Sequence, residues 1–218
     1  MATTDLMELL AGGGEANVIA SGSFWLDFGQ ETSGQAGGQI RVRDLRSGLW
    51  KMRVNCPTIY LENAQDIHAL VEAMGGSLDT FYAWNPERPY PKEDPDGTIL
   101  GSATPIIETV GADNKSLSLS GLPIGYTISR GDMLAFDYGS PSSRALHRVI
   151  TASTEANGSG ITAEFTVAPH FRQGVAAGLA VDLTKPTAEF RIVPGSYDPS
   201  GEGVFGSVSF QAVQVING

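Results

Sequence analysis

The strongest constraint on the fold lies between residues 106 and 167, where short runs with apolar side chains at alternate positions are cut off by turn sequences at regular intervals. The runs are 106–110, 116–120, 132–138, 145–152 and 161–167. Between them stand Ala112-Asp113-Asn114, Gly121-Leu122-Pro123, Gly139-Ser140-Pro141 and Asn157-Gly158-Ser159-Gly160. A period of two places successive side chains on opposite faces of a strand, and turns at this spacing join neighbouring strands of a small barrel or sandwich.

The flanks carry the same signal less densely. An aromatic run at 23–28 reads as a first strand. Residues 29–38, rich in Gly, Gln, Ser and Thr, read as a mobile loop. The runs 39–44 (Ile40, Val42) and 49–56 (Trp50, Met52, Val54, Cys56), separated by Arg46-Ser47-Gly48, are expected to pair as a hairpin with one buried face. A short helix is allowed at 5–11. The one strong helix signal is 63–74, with Asn63 as cap, Ile67, Leu70, Val71 and Met74 on one face, and Gly75-Gly76 as the stop.

A further strand at 78–84 leads into residues 85–97, whose four prolines and repeated charges forbid a central strand and read as a stiff crossing linker. The tail runs 187–193 and 204–216 alternate again and need partners, for which the strands before the linker are the candidates. The expected organisation is therefore one discontinuous domain (1–95 plus 183–218) carrying an inserted small all-β domain (96–182).

Charge narrows the function. With 14 Lys and Arg against 24 Asp and Glu, the formal net charge is −10, which repels phosphate backbones and anionic headgroups. Sequence-specific nucleic-acid binding is not expected. No run approaches a membrane span, and the start, with Asp5 and Glu8 where a leader would carry Lys or Arg, reads as that of a soluble protein made in the cytoplasm. The single cysteine, Cys56, reads as a small buried hydrophobe.

Catalytic patterns are sparse. His68, His147 and His170 are too scattered for a metal signature, and His68 beside Glu72 reads as solvated surface. His147 has Ser142, Ser143, Asp132 and Asp137 within reach along the chain, but no G-x-S-x-G elbow accompanies them. The acidic run Glu93-Asp94-Pro95-Asp96 lacks the order of a calcium loop and reads as a solvated linker. A glycosidase pair of acids need only meet in space, so spacing is silent on it. No phosphate-cradling glycine motif follows a strand. Arg130-Gly131-Asp132 spells an adhesion tripeptide, yet Gly-Asp also suits a tight turn, which is the preferred reading. No catalytic, metal or cofactor residue is therefore assigned. Trp84 and Tyr90, near Phe81 and Tyr82, are the candidates for a sugar-stacking platform.

The order of features resembles the distal tail proteins of long-tailed (siphovirus-like) phages and gene transfer agents. The resemblance is carried by Phe24-Trp25-Leu26, by Trp50-Lys51-Met52-Arg53-Val54, by the helix ending at Gly75-Gly76 and by Phe81-Tyr82-Ala83-Trp84. In the second part it rests on Gly131-Asp132-Met133-Leu134-Ala135-Phe136, Leu146-His147-Arg148-Val149, Phe165-Thr166-Val167-Ala168-Pro169 and Glu189-Phe190-Arg191-Ile192.

It implies a mainly β protein with one α-helix: a tail-tube-like β-barrel or sandwich domain with an inserted galectin- or OB-like barrel. The implied function is that of a non-enzymatic virion protein at the tail tip. It forms a ring, commonly of six copies, that continues the tail tube, joins hub and fibre proteins, and lets DNA pass without specific binding. The alternatives are another tail protein, such as tube or terminator, and a carbohydrate-binding β-sandwich recognising a host glycan.

Overall fold

In chain order, the first elements are α1 (Asp5–Leu10), β1 (Ser21–Asp27), β2 (Gln30–Gly34), β3 (Ile40–Asp44), β4 (Leu49–Tyr60), α2 (Leu61–Ala73) and β5 (Phe81–Ala83). The middle of the chain supplies β6 (Ile106–Val110), β7 (Ser116–Ser120), β8 (Thr127–Ser129), β9 (Met133–Tyr138), β10 (Ser143–Val149), β11 (Ser153–Glu155), β12 (Phe165–Ala168) and β13 (Val181–Asp182). The last three strands are β14 (Ala188–Ile192), β15 (Asp198–Glu202) and β16 (Phe205–Gln214). The computed structural model describes residues 5–11, 21–34 and 37–216. The triplet Gly12-Gly13-Gly14, which follows the first helix in the sequence, lies outside the described residues.

The protein is mainly β with two short helices and several antiparallel sheets. One sheet runs β1-β4-β16-β14-β5, with β15 also paired to β16. The tail strands thus find partners before the proline-rich segment: β16 lies along β4, and β14 along β5. Pro57 and Thr58 stand opposite Ser207 alone, a bulge that accommodates the missing proline N–H within a long central strand. The second sheet, β13-β9-β10-β12-β7-β6, is a nearly closed barrel. A bridge between Ile106 and Ala180 and the bond from Ile107 N–H to the Leu179 carbonyl (2.9 Å) draw its two edges together.

Several local expectations are corrected. There are two helices, not one. The short α1 holds because Leu6, Met7 and Leu10 are buried against α2 and the sheet, a tertiary term that outweighs the weak propensity of six residues. Helix α2 starts at Leu61, without Asn63 as cap. Strand β4 runs straight into it, and the Val204 carbonyl accepts the Leu61 N–H at 2.9 Å.

Its end is as expected. Gly75 and Gly76 both take positive φ, and their N–H groups bond the Glu72 and Val71 carbonyls in a Schellman turn. The hairpin of 39–44 with 49–56 does not form. β3 pairs with β2, inside the stretch expected as a mobile loop, and β4 pairs with β1 and β16. Neither face of the β2–β3 ribbon is covered, so its polar residues need no core. Residues 85–97 contain no strand, as expected, but they are packed against the barrel.

Side-chain alternation explains the two cores. Phe24, Trp50, Met52, Val54, Cys56, Phe190, Val208 and Phe210 share the buried face of the open sheet, over which α1 and α2 lie. Gly206 permits this approach: a Cβ there would stand 2.9 Å from that of Ala64. The barrel is filled by Ile107, Leu117, Leu119, Leu134, Phe136, Phe165 and Val167.

Strands β9 and β10 serve both cores. Leu134, Phe136 and Val149 point into the barrel, while Met133, Ala135 and Leu146 point out into the first core. Trp50 closes this seam: its indole N–H donates to the Leu146 carbonyl at 2.7 Å, and its ring stacks on Phe24 with centroids 5.1 Å apart. Trp50→Phe keeps most of the apolar volume but leaves that buried carbonyl without its donor. It is expected to destabilise the protein by about 1–3 kcal/mol, read as a lower denaturation midpoint with unchanged slope in urea.

Candidate functional site

His147, Asp132 and Asp137, which lie within reach of one another along the chain, each take different partners in the structure. His147 sits inside the barrel, stacked on Phe136 with centroids 5.4 Å apart and edge-on to Phe171, and its Nδ1 lies 2.9 Å from the Pro169 carbonyl. Burial holds its pKa down to about 4. Neither candidate acid joins it. Asp137 pairs with Arg144 on the barrel exterior. Asp132, fully buried, accepts the N–H groups of Lys92 (2.9 Å) and Ser129 (2.7 Å). Burial raises the Asp132 pKa, opposed by those two N–H bonds and by Arg88. The Arg130-Gly131-Asp132 tripeptide is thus a structural turn, with Gly131 at φ +93° and its aspartate inaccessible.

The acidic run is exposed at Glu93 and Asp96, as expected, but not at Asp94. Asp94 is only 1% exposed and accepts the N–H groups of Ile99 and Leu100 and the Tyr126 hydroxyl, folding the proline-rich segment onto the barrel. His68 is likewise not simply solvated, since it shares a short hydrogen bond with the Tyr197 hydroxyl. Among the described residues no group of three or more His, Cys, Asp or Glu is placed to hold a metal ion. Trp84 is 3% exposed, and the Lys185 ammonium lies 5.1 Å from its ring centroid, so it offers no free face for stacking. Tyr90, half-buried, lies beside Gly97.

What the structure does present is apolar surface at the two ends of β4. At one end, the β2–β3 ribbon leaves the sheet beyond Asp27, which stands opposite Leu49, the first residue of β4. It displays Ile40 (73% exposed) and Val42, with Phe28 and Leu45 at its base. Asp27 anchors that base by accepting from Arg46 (2.6 Å) and Lys51 (2.8 Å). Lys51 is the largest cause, the Gly29 N–H and Arg46 adding to it, that lowers the Asp27 pKa to about 2. A groove of roughly 630 Å³ separates the ribbon base from the barrel rim at Ile150, Thr166 and His170. At the other end, Tyr60 (68% exposed) stacks on Phe205 beside exposed Val204.

A third feature is a cleft of about 400 Å³ in which Arg88, Arg130 and Arg148 converge. The Arg148 guanidinium lies 4.8 Å from the Trp50 ring centroid, and its burial lowers its pKa.

Sequence reading missed all three features. Alternation at Ile40 and Val42 signals a strand equally well whether its faces are covered or bare, and the three arginines come from segments up to 60 residues apart in the chain. In comparisons with known proteins, the chain matches no family model and no curated protein.

The titrating groups make acid stability a two-step property. A neutral His147 refuses a proton until about pH 4, whereas the unfolded chain accepts one near 6.5. Stability therefore falls as the pH drops through that window, by roughly 3 kcal/mol. Asp27 holds its charge down to about 2 against an ordinary value of 3.8, so its contribution is present above 3.8 and disappears as the pH falls to 2. Melting profiles against pH are expected to lose the upper slope in His147→Phe and the lower slope in Asp27→Asn.

Proposed function

We propose that this protein is a virion structural component of a long-tailed phage or related particle. In this reading it is a distal tail ring subunit that continues the tail tube and joins it to the hub or fibre proteins. Residues 1–95 with 183–218 form the tail-tube-like ring domain, and 96–182 form the inserted barrel. The ring is a homo-oligomer, commonly of six copies, and the net charge of −10 suits a channel through which DNA slides without sticking.

The observation that carries this reading is the pair of unlike apolar surfaces at opposite ends of β4, separated by roughly 35 Å of extended strand. A two-stranded ribbon has marginal stability in water, and one with exposed Ile40 and Val42 gains from lying on another surface. Two different patches on one subunit support a head-to-tail contact, the ribbon of one copy on the Tyr60, Val204 and Phe205 patch of the next. Such a heterologous contact closes into a ring when its rotation allows. The outer edges of β1 and β5, which pair with no further strand among the described residues, support the same reading, because pairing or covering edges in an assembly prevents uncontrolled association.

Negative-stain electron microscopy across a protein concentration series tests this. Rings with a central hole are expected. Val42→Asp and Phe205→Asp are each expected to abolish them while the monomer stays folded, and a mixture of the two variants is expected to give dimers through the one intact contact. Compact monomers throughout the series, with neither variant changing the sedimentation of the protein, would overturn the reading.

A further inference from the structure

The arginine cleft is a strong local exception to the charge of the molecule. Of 14 basic residues in an acidic chain, three converge on one open depression, from the proline-rich segment (Arg88), the turn before β9 (Arg130) and β10 (Arg148). Each is held in place by a backbone carbonyl. Arg88 donates to the Arg130 carbonyl (3.3 Å), Arg130 through Nε to the Ile150 carbonyl (2.8 Å), and Arg148 to the Phe24 carbonyl (3.4 Å).

A guanidinium carries five N–H donors, and each of these contacts uses only one of them. Arg130 and Arg148 have no ion pair among the described residues, and Arg88 has only the buried Asp132 at 3.6 Å. Gathering three like charges, one of them packed on Trp50, costs free energy that Asp132, paired with Arg88, and Glu87, beside Arg148, offset only in part.

We infer that this cleft binds a single carboxylate carried by another polypeptide, an acidic side chain of a docked protein surface. Charge selects the ligand: after the nearby Asp132 and Glu87 carboxylates are set against the three guanidiniums, one net positive charge remains. That matches a monoanion, not a phosphate dianion or a run of nucleotides, and the planar guanidinium fork matches carboxylate geometry. Openness selects the source. The cleft is open to solvent, so a free small carboxylate would meet largely screened charge, while one borne on a docked surface brings its own exclusion of water. The inference does not rest on the ring reading, since any acidic partner surface satisfies it.

The test measures fluorescence anisotropy of a short labelled peptide of alternating glycine and glutamate, titrated with the full-length protein. Saturable binding that weakens with salt is expected. It should be reduced at least about tenfold in the Arg88→Gln, Arg130→Gln double variant and be unchanged in Arg41→Gln on the exposed ribbon. Arg148 is left intact because it packs on Trp50, and circular dichroism confirms that each variant is folded. The inference is overturned if the glutamate peptide does not bind, if its glutamine counterpart binds equally, or if the double variant binds as the parent does. Acetate competing as well as unlabelled peptide would overturn the polypeptide source, and arginine-dependent binding of a labelled oligothymidylate in place of the peptide would assign the cleft to phosphate.

Discussion

Strands β9 and β10 are buried on both faces, and the rest of the architecture depends on that double burial. Most strands in antiparallel proteins keep one face for solvent. Here Leu134 and Phe136 fill the barrel while Met133, Ala135 and Leu146 complete the core beneath the open sheet. Trp50 joins the two with a hydrogen bond, an aromatic stack and a cation–π contact from Arg148. The proline-rich segment reinforces the joint. Asp132 and Asp94, both inaccessible, take backbone N–H groups from that segment and the turns beside it, so loops that would otherwise be loose are held by charge-assisted bonds in a dry environment.

Much of the exposed apolar surface lies at the two ends of β4. The ribbon is fastened at its base by Asp27, Arg46 and Lys51 but covered on neither face, and the opposite end of β4 shows the stacked Tyr60 and Phe205 pair. The arginine cleft lies at the joint itself, lined in part by Phe24 of the open sheet and Arg148 of the barrel. A partner seated there would read the relative placement of the two cores. Buried His147 and Cys56, by contrast, are packing groups, their pKa values displaced by burial so that each stays neutral near neutral pH.

Much of the strand content was legible in the sequence. The runs at 106–110 and 116–120 are strands with the expected bounds, Trp50, Met52, Val54 and Cys56 share one buried face, and the tail strands pair with β4 and β5. The failures have a common cause. Ile40 and Val42 alternate like core residues yet face water, and Gln30–Gly34 reads as loop yet forms a strand, because alternation reports local conformation without reporting what covers it. Trp84 failed as a platform for the converse reason: an aromatic side chain satisfies a core and an exposed site equally well. Asp94 read as solvated, and Asp132 as a turn residue or an acid within reach of His147, because nothing along the chain reveals that N–H groups converge on their carboxylates.

The sequence by itself determined that this is a turn-dense β protein with an amphipathic helix stopped at Gly75-Gly76, a net charge that disfavours polyanions, and a cysteine suited to burial. These follow from local sterics, side-chain period and composition, which act over a few residues or over the whole chain at once. Only the tertiary structure decided that β4 pairs with β1 and β16 instead of with β3, that two strands are shared between cores, and that three arginines meet in one cleft. Those outcomes depend on contacts between segments far apart in the chain, where many registers satisfy the same alternation and burial of the whole set selects one.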